Sequence, residues 1–276
     1  MTRRILVLAM PWAWLTVFLI LPLAIVAVIA LGKTGQGIPP VTLGFHPENF
    51  AALADPFYVG AAARSVKVAL VSSLICLLIG YPMAFAITRA PAHWRGALLT
   101  LAVLPFWSGF LLRIAAWIGL LRDDGWINAA FVALGVPGAP FTLLYTPFAM
   151  YVGIAYTYLP FMVLPLHARL SQRDAALEDA AADLGASSWA VFWRVTWPLS
   201  LPGVQAGFLL VFIPALGEFV IPELLGGPGA QTIGRVLWDE FFTNHDWPTA
   251  AALAMLLLAL LAAPAAWWQR RKGPAA

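Results

Sequence analysis

The sequence predicts an all-α polytopic membrane protein, and its composition is the first reason. Hydrophobic residues make up 62% of the 276 residues and charged residues only 11%, whereas soluble domains carry about 25% charged residues. So few charges cannot cover a water-facing surface of this size, which excludes a soluble globular enzyme. The single cysteine, Cys76, excludes a fold held by internal disulfides.

Six apolar stretches are the second reason, because a spanning helix needs about 20 predominantly apolar residues. The predicted transmembrane helices cover residues of about 5–31, 68–88, 97–121, 143–166, 203–225 and 248–268. The first stretch exceeds the apolar core of about 7–15 residues found in a cleaved signal peptide, so we expect it to be retained. We expect the whole chain, 1–276, to form a single transmembrane domain.

The distribution of basic residues predicts that both termini face the cytoplasm. With six spans, the N-terminus, the second and fourth loops and the C-terminus share one side of the membrane. Ten of the sixteen basic residues fall on that side, namely Arg3, Arg4, Arg89, Arg95, Arg169, Arg173, Arg194, Arg270, Arg271 and Lys272. Lysine and arginine accumulate in cytoplasmic loops, and Arg270–Lys272 is the clearest single anchor. Because the basic residues are scattered among loops, no nucleic-acid partner is expected.

The longest cytoplasmic loop, residues 168–202, predicts two short helices joined by a sharp turn. Ser171 opens a Ser-x-x-Asp pattern similar to a capping box, and the Ala-rich run after it favours a helix. Gly185 is placed to end that helix, and Ser187 or Ser188 could cap a second one. Small residues on the first helix permit close approach of another protein; an ordinary solvated connector is the alternative.

This loop resembles the signature of importer-type ABC permeases, which reads Glu-Ala-Ala, three residues, Gly, nine residues and Ile-x-Leu-Pro. The matching positions are Asp179, Ala180, Ala181, Gly185, Val195, Trp197 and Pro198. Asp replaces Glu, Val replaces Ile and Trp replaces Leu, while the glycine and the proline are kept. In that family the element is a coupling helix that docks in a groove of the ATP-hydrolysing subunit. The resemblance gives this role to the helix around Arg173–Gly185.

Other parts of the chain resemble the polyamine permeases of that family. Residues 104–107 and 112–117 are similar to their third span, and 217–227 is similar to the most distinctive stretch of the putrescine permeases. The segments 233–238 and 246–248 continue the likeness. The resemblance implies a type I ABC importer permease fold in the bacterial inner membrane and transport of a polyamine, putrescine before others.

The same resemblance implies the partners of the chain. They are a homologous second permease that completes a heterodimer, two ATP-binding subunits, and a periplasmic polyamine-binding protein. ATP and magnesium would be bound by the ATPase subunits, so no cofactor is expected in this chain, and the chain by itself is not expected to be an enzyme.

Two glutamates in the fifth predicted span, Glu218 and Glu223, are the candidate substrate contacts. Carboxylates within a membrane segment are costly and usually face a cavity or a partner. A diamine carries two ammonium groups, which these carboxylates would attract by charge, and Phe219 or Trp107 by cation–π interaction. On an ideal helix, five residues of separation turn the two glutamates about 140° apart, although the nearby prolines disturb that geometry.

Arginines in the membrane segments leave the roles of the glutamates open. Either glutamate could instead pair with Arg113 or Arg235 and hold the helices together. Arg113 would repel a cation in the path, so it either pairs with a carboxylate or marks the outer mouth. Spermidine or another small organic cation is the alternative substrate within the class.

A stand-alone channel and an intramembrane enzyme are the alternatives from other classes. The signature in residues 168–202, which we name the coupling loop, counts against an unpowered channel. Against an enzyme, no serine or cysteine has a nucleophile context, and no metal site is expected because the histidines lack metal-ligand spacing. These isolated residues are His46, His93, His167 and His245.

Overall fold

The structure is a computed structural model that describes residues 2–271, with side chains described at 9–174 and 176–262. It is built almost entirely from helices. The α-helices are α1 (Thr2–Leu15), α2 (Leu21–Ala30), α3 (Glu48–Ala52), α4 (Pro56–Arg89), α5 (Ala92–Val103), α6 (Phe110–Leu121), α7 (Trp126–Ala133), α8 (Pro147–Ser171), α9 (Ala175–Asp183), α10 (Ser188–Val191), α11 (Trp197–Leu216), α12 (Val220–Leu225), α13 (Ile233–Trp238) and α14 (Trp247–Arg271). The strands β1 (Lys33–Thr34) and β2 (Val41–Thr42) pair antiparallel. The basic anchor Arg270–Lys272 lies outside the described side chains.

Apolar helices lie at each of the six predicted spans, but not all of them are long enough to cross a membrane alone. Those long and apolar enough to cross a membrane alone are Ala9–Ala30, Pro56–Arg89, Pro147–Ser171 and Ser188–Leu216. Segments Ala92–Trp107 and Phe110–Ala133 qualify as a pair, which is bent by 90°. Trp247–Ala262 is a shorter apolar helix. The all-α membrane fold is confirmed, while the count of six full crossings stays a prediction.

The fifth predicted span, 203–225, differs from the structure at its start and by an interruption near its C-terminal end. Helix α11 starts earlier, at Trp197, and ends at Leu216, and α12 begins only at Val220. Pro222 favours an interruption here, because in a continuous helix its ring would clash with the carbonyl four residues earlier. In the first turn of α12 the proline is tolerated.

The second predicted span, 68–88, also differs, because it is only the C-terminal part of α4. This helix begins at Pro56, and proline suits the first turn of a helix because its missing N–H would have no intrahelical partner there.

The described chain divides into two compact units, one of which combines residues up to Ala63 with those from Thr232 onward. In this unit α2 packs against α14. The buried cluster contains Ala30, Leu53, Ala61, Ile233, Val236, Ala252 and Leu253. The Asn49 amide donates to the carbonyls of Ala30 and Gly32, both at 2.8 Å, which ties α3 to the end of α2.

The other unit, Arg64–Gln231, contains every candidate residue for substrate and coupling. Its centre is α8, which packs closely against α11 and α12. Glycines allow this approach: a Cβ on Gly207 would lie 2.8 Å from Met162 Sδ, and one on Gly153 would lie 2.5 Å from Leu225 Cδ1. The prediction of a single domain over 1–276 stays a prediction.

Candidate functional site

The third predicted span is broken by a 3-10 turn at Leu104–Trp107. In a continuous helix the Pro105 carbonyl would accept from the Gly109 N–H, but Ser108 and Gly109 have extended backbones. Membrane segments offer no water to satisfy such a carbonyl. Two side chains do so instead: Ser108 Oγ and Arg113 Nη1 each donate to Pro105 O at 2.9 Å.

Arg113 is therefore part of the helix break. The residue is 9% exposed, and its guanidinium carbon lies 5.8 Å from the ring centre of Phe106 and 5.9 Å from that of Phe110. The carbonyl and the two aromatic faces lower the cost of burying the cation. Donation to a broken helix is a role that the sequence analysis did not include.

Glu218 lies in the second break, between α11 and α12, and is also 9% exposed. Its Oε1 accepts from the backbone N–H groups of Val220, at 3.0 Å, and Ile221, at 3.3 Å. Its Oε2 accepts from the Tyr158 hydroxyl on α8. A carboxylate with three such donors caps the start of α12 and joins it to α8.

Glu223 has a different environment from Glu218, because it is exposed. On α12, Ile221 and Leu225 are fully buried and approach Gly153 of α8. Two residues along an ideal helix correspond to about 200° of rotation, so Glu223 lies on the opposite face of α12. The break thus separates the two glutamates into one buried and one exposed carboxylate.

The two candidate aromatic residues lie at the two breaks. Trp107 is the last residue of the 3-10 turn at the first break and is 79% exposed. Phe219 is half-buried and comes immediately before α12. Helix α6, which follows the first break, contacts α12, which follows the second. The helices carrying Arg113 and Glu223 are therefore neighbours.

The coupling loop contains the two predicted helices, α9 and α10. Asp174 Oδ1 caps α9 by accepting from Ala176 N at 3.0 Å, so the prediction of Ser171 as its cap is wrong. Ser171 is the last residue of α8, which continues through the expected boundary. The cap of α10 is Ser187, whose Oγ accepts from Ala190 N at 3.3 Å.

Gly185 ends α9 as predicted, with φ of +86°. The N–H of Gly185 donates to Ala182 O at 2.9 Å, and the N–H of Ala186 donates to Ala181 O at 3.1 Å. This pair of bonds is a Schellman motif, which favours glycine at the left-handed position. It fixes the sharp turn between α9 and α10.

The coupling loop exposes large apolar side chains at the protein surface. Leu184 is 90% exposed and Trp189 is 71% exposed. Of the signature positions, those exposed are Asp179, Ala180, Gly185 and Pro198, while Ala181 is half-buried. An exposed apolar patch of this kind is typical of a surface for another protein.

Glu178 is a residue of this region that the sequence analysis missed. Its carboxylate lies 3.3 Å from Arg89 Nη2 and 3.1 Å from Arg173 Nη1, and it accepts from Thr196 Oγ1 at 2.6 Å. The available signal was a glutamate in the predicted coupling helix, five residues after Arg173.

Comparison with known proteins gives matches along most of the chain. The family model "binding-protein-dependent transport system inner membrane component" matches residues 4–271. The spermidine/putrescine transport system permease protein PotB of Haemophilus influenzae is 37% identical over 250 residues, 90% of this chain and 86% of that protein. PotB of Escherichia coli is 37% identical over 243 residues, 88% of each chain. The inner membrane ABC transporter permease protein YdcU of Escherichia coli is 31% identical over 232 residues, 78% of this chain and 74% of that protein.

Solved structures share the fold. A chain of a bacterial ABC transporter involved in the import of the acidic polysaccharide alginate aligns with a TM-score of 0.71 over 99% of this chain and 98% of that chain. At 19% identity this likeness concerns the fold alone, and it confirms the predicted ABC permease fold. Together with the family match over 4–271, it shows that this chain belongs to the family of inner-membrane components of binding-protein-dependent transport systems, which are ABC transporter permease subunits and not enzymes.

Proposed function

We propose that this chain is the permease subunit of an ATP-driven polyamine importer, with putrescine as its substrate. The observation that carries the proposal is the 37% identity, over 90% of the chain, to a permease named for spermidine and putrescine transport. Because that name includes both polyamines, spermidine is the alternative substrate. The geometry supports a path for a cation, and the coupling loop supports a link to ATP hydrolysis.

Glu223 is the residue to which we assign the substrate contact. Carboxylates in membrane segments are costly and usually face a cavity or a partner, and Glu223 is exposed at the surface of this chain. A second permease subunit placed against this face of α12 would leave a path between the two chains. There an ammonium group would meet the carboxylate, with Phe219 and Trp107 as aromatic partners.

To Glu218 we assign a structural role in the same path. Its carboxylate already accepts from Val220, Ile221 and Tyr158, so its lone pairs serve the helix break. The cap holds α12 at the angle that presents Glu223.

The coupling loop supports ATP-driven transport. Helix α9 and the turn at Gly185 present Leu184 and Trp189 at the surface, where we propose that an ATP-binding subunit docks around Asp179–Ala181. This role requires residues 168–202 to be cytoplasmic, which with six spans also places both termini in the cytoplasm. Two ATP-binding subunits, a homologous second permease and a periplasmic polyamine-binding protein complete the transporter.

Purification of the tagged chain from the inner membrane tests the proposal. We expect an ATP-hydrolysing subunit to co-purify, and polyamine-loaded binding protein to stimulate hydrolysis in proteoliposomes. A stand-alone channel would co-purify with no ATPase. Co-purification without stimulation by putrescine or spermidine would leave the family intact and contradict the proposed substrate class.

A further inference from the structure

We propose that Glu178 is a positioning residue that fastens the coupling helix α9 to the ends of the membrane helices. Its carboxylate, with Arg89, Arg173 and Thr196, forms a group that we name the Glu178 clamp. The inference rests on the proposed function, because α9 must first couple to ATP hydrolysis. It adds the internal link by which a movement of α9 reaches the membrane helices.

Each partner of Glu178 in the clamp lies at or beside the end of a different long helix. Arg89 is the last residue of α4, Arg173 lies in the short link between α8 and α9, and Thr196 comes directly before α11. The contacts are 3.3 Å to Arg89 Nη2, 3.1 Å to Arg173 Nη1 and 2.6 Å to Thr196 Oγ1. One carboxylate on α9 therefore reaches the ends of three long helices.

Burial distinguishes this clamp from an ordinary surface ion pair. The side chains of Glu178 and Arg173 are each 13% exposed, and only Arg89, at 57%, is largely in solvent. Exposed pairs are screened by water and contribute little, whereas shielded pairs with hydrogen bonds hold one geometry. The contact to Arg173 is ionic without hydrogen-bond alignment, so the directional bonds to Glu178 come from the Thr196 hydroxyl and from Arg89 Nη2.

Phe85 holds both arginines in place. The guanidinium carbon of Arg89 lies 4.3 Å from the centre of this ring, and that of Arg173 lies 5.1 Å from it. Cation–π contacts of this length stabilise the two guanidinium groups in their positions over the ring. The two cations thus lie against one ring of α4 and beside the Glu178 carboxylate, which ties α9 to the end of α4.

The decisive experiment measures polyamine transported per ATP hydrolysed by the full complex in proteoliposomes. Glu178→Gln keeps the size of the side chain and an acceptor for Thr196 but removes the charge. We expect the ATPase subunit to co-purify as before and the ratio to fall about tenfold, within the usual range for coupling between sites. The matched control is Asp124→Asn, which removes the exposed ion pair between Arg122 Nε and Asp124 Oδ1 at 3.0 Å and should leave the ratio unchanged.

A second pair of variants protects the test against misfolding of Glu178→Gln. Arg89 is half in solvent, so Arg89→Gln should assemble; we expect a lowered ratio that Arg89→Lys restores in part. A wild-type ratio in Glu178→Gln, or in Arg89→Gln where the first variant does not accumulate, would overturn the clamp. Failure of the proposed function is distinct, because the wild-type complex would then show no polyamine transport.

Discussion

Replacing Glu218 with alanine tests how the broken fifth span is held together. The change leaves the N–H groups of Val220 and Ile221 and the hydroxyl of Tyr158 without the acceptor that they share. A buried donor without a partner costs about 1–3 kcal/mol, so three donors cost about 3 kcal/mol at the lower limit. At roughly 2–4 °C per kcal/mol for a chain of this size, the melting temperature should fall by about 6–12 °C.

Thermal unfolding in detergent, followed by tryptophan fluorescence, measures this loss. Glu218→Gln is the matched variant, because its amide oxygen accepts from the backbone and its amide nitrogen can donate to Tyr158. We expect it to melt within about 4 °C of the wild type, since it loses only the assistance of the charge. An alanine variant that melts with the wild type, or a glutamine variant as unstable as the alanine one, would refute a capping role.

Three further predictions concern the path, the helix packing and the coupling loop. Glu223→Gln should raise the KM for putrescine uptake about tenfold by removing one charged contact, and an unchanged KM with normal assembly would contradict the path role. Gly207→Ala should lower the free energy of unfolding by about 1–3 kcal/mol because its Cβ would lie 2.8 Å from Met162 Sδ. Gly96→Ala, with nothing within 4 Å, is its control and should be neutral or stabilising; equal melting of the two would count against close packing. Asp174→Ala should make hydrogen exchange in α9 about fivefold faster by removing a cap worth about 1 kcal/mol, and an unchanged rate would reject the cap.

The apolar spans could be predicted because hydrophobic length is a local property. The helix breaks could not, although Pro105 and Pro222 were visible in the sequence. Prolines are tolerated in membrane helices when neighbours satisfy the freed carbonyls, so a proline alone does not decide between a kink and a break. The extended Ser108 and the guanidinium of Arg113 bonded to Pro105 O decide it in the third span.

The candidate site shows the same limit. Charge in a membrane segment indicated Glu218 and Glu223, but helical spacing near the prolines could not tell which carboxylate would be buried. The break at Gly217–Phe219 gives one glutamate three donors and places the other on an exposed face. Which carboxylate becomes the cap depends on Tyr158, sixty residues away in the chain, and no local pattern contains that contact.

The coupling loop was predicted best where a turn requires one residue type. Gly185 has the positive φ that its position suggested. Ser171 failed as a cap because α8 continues through it and Asp174 takes the role. Glu178 was missed because its partners lie outside its own helix, Arg89 at 89 residues and Thr196 at 18 residues along the chain.

Uptake of labelled putrescine, with spermidine alongside, in cells that lack this chain and in cells given it back tests the central claim most directly. The account predicts that the restored chain returns putrescine uptake and that this uptake depends on ATP. Parallel recovery of spermidine would make the chain a general polyamine permease. No recovery of either polyamine, with the chain assembled in the inner membrane, would contradict the polyamine function and the path assigned to Glu223.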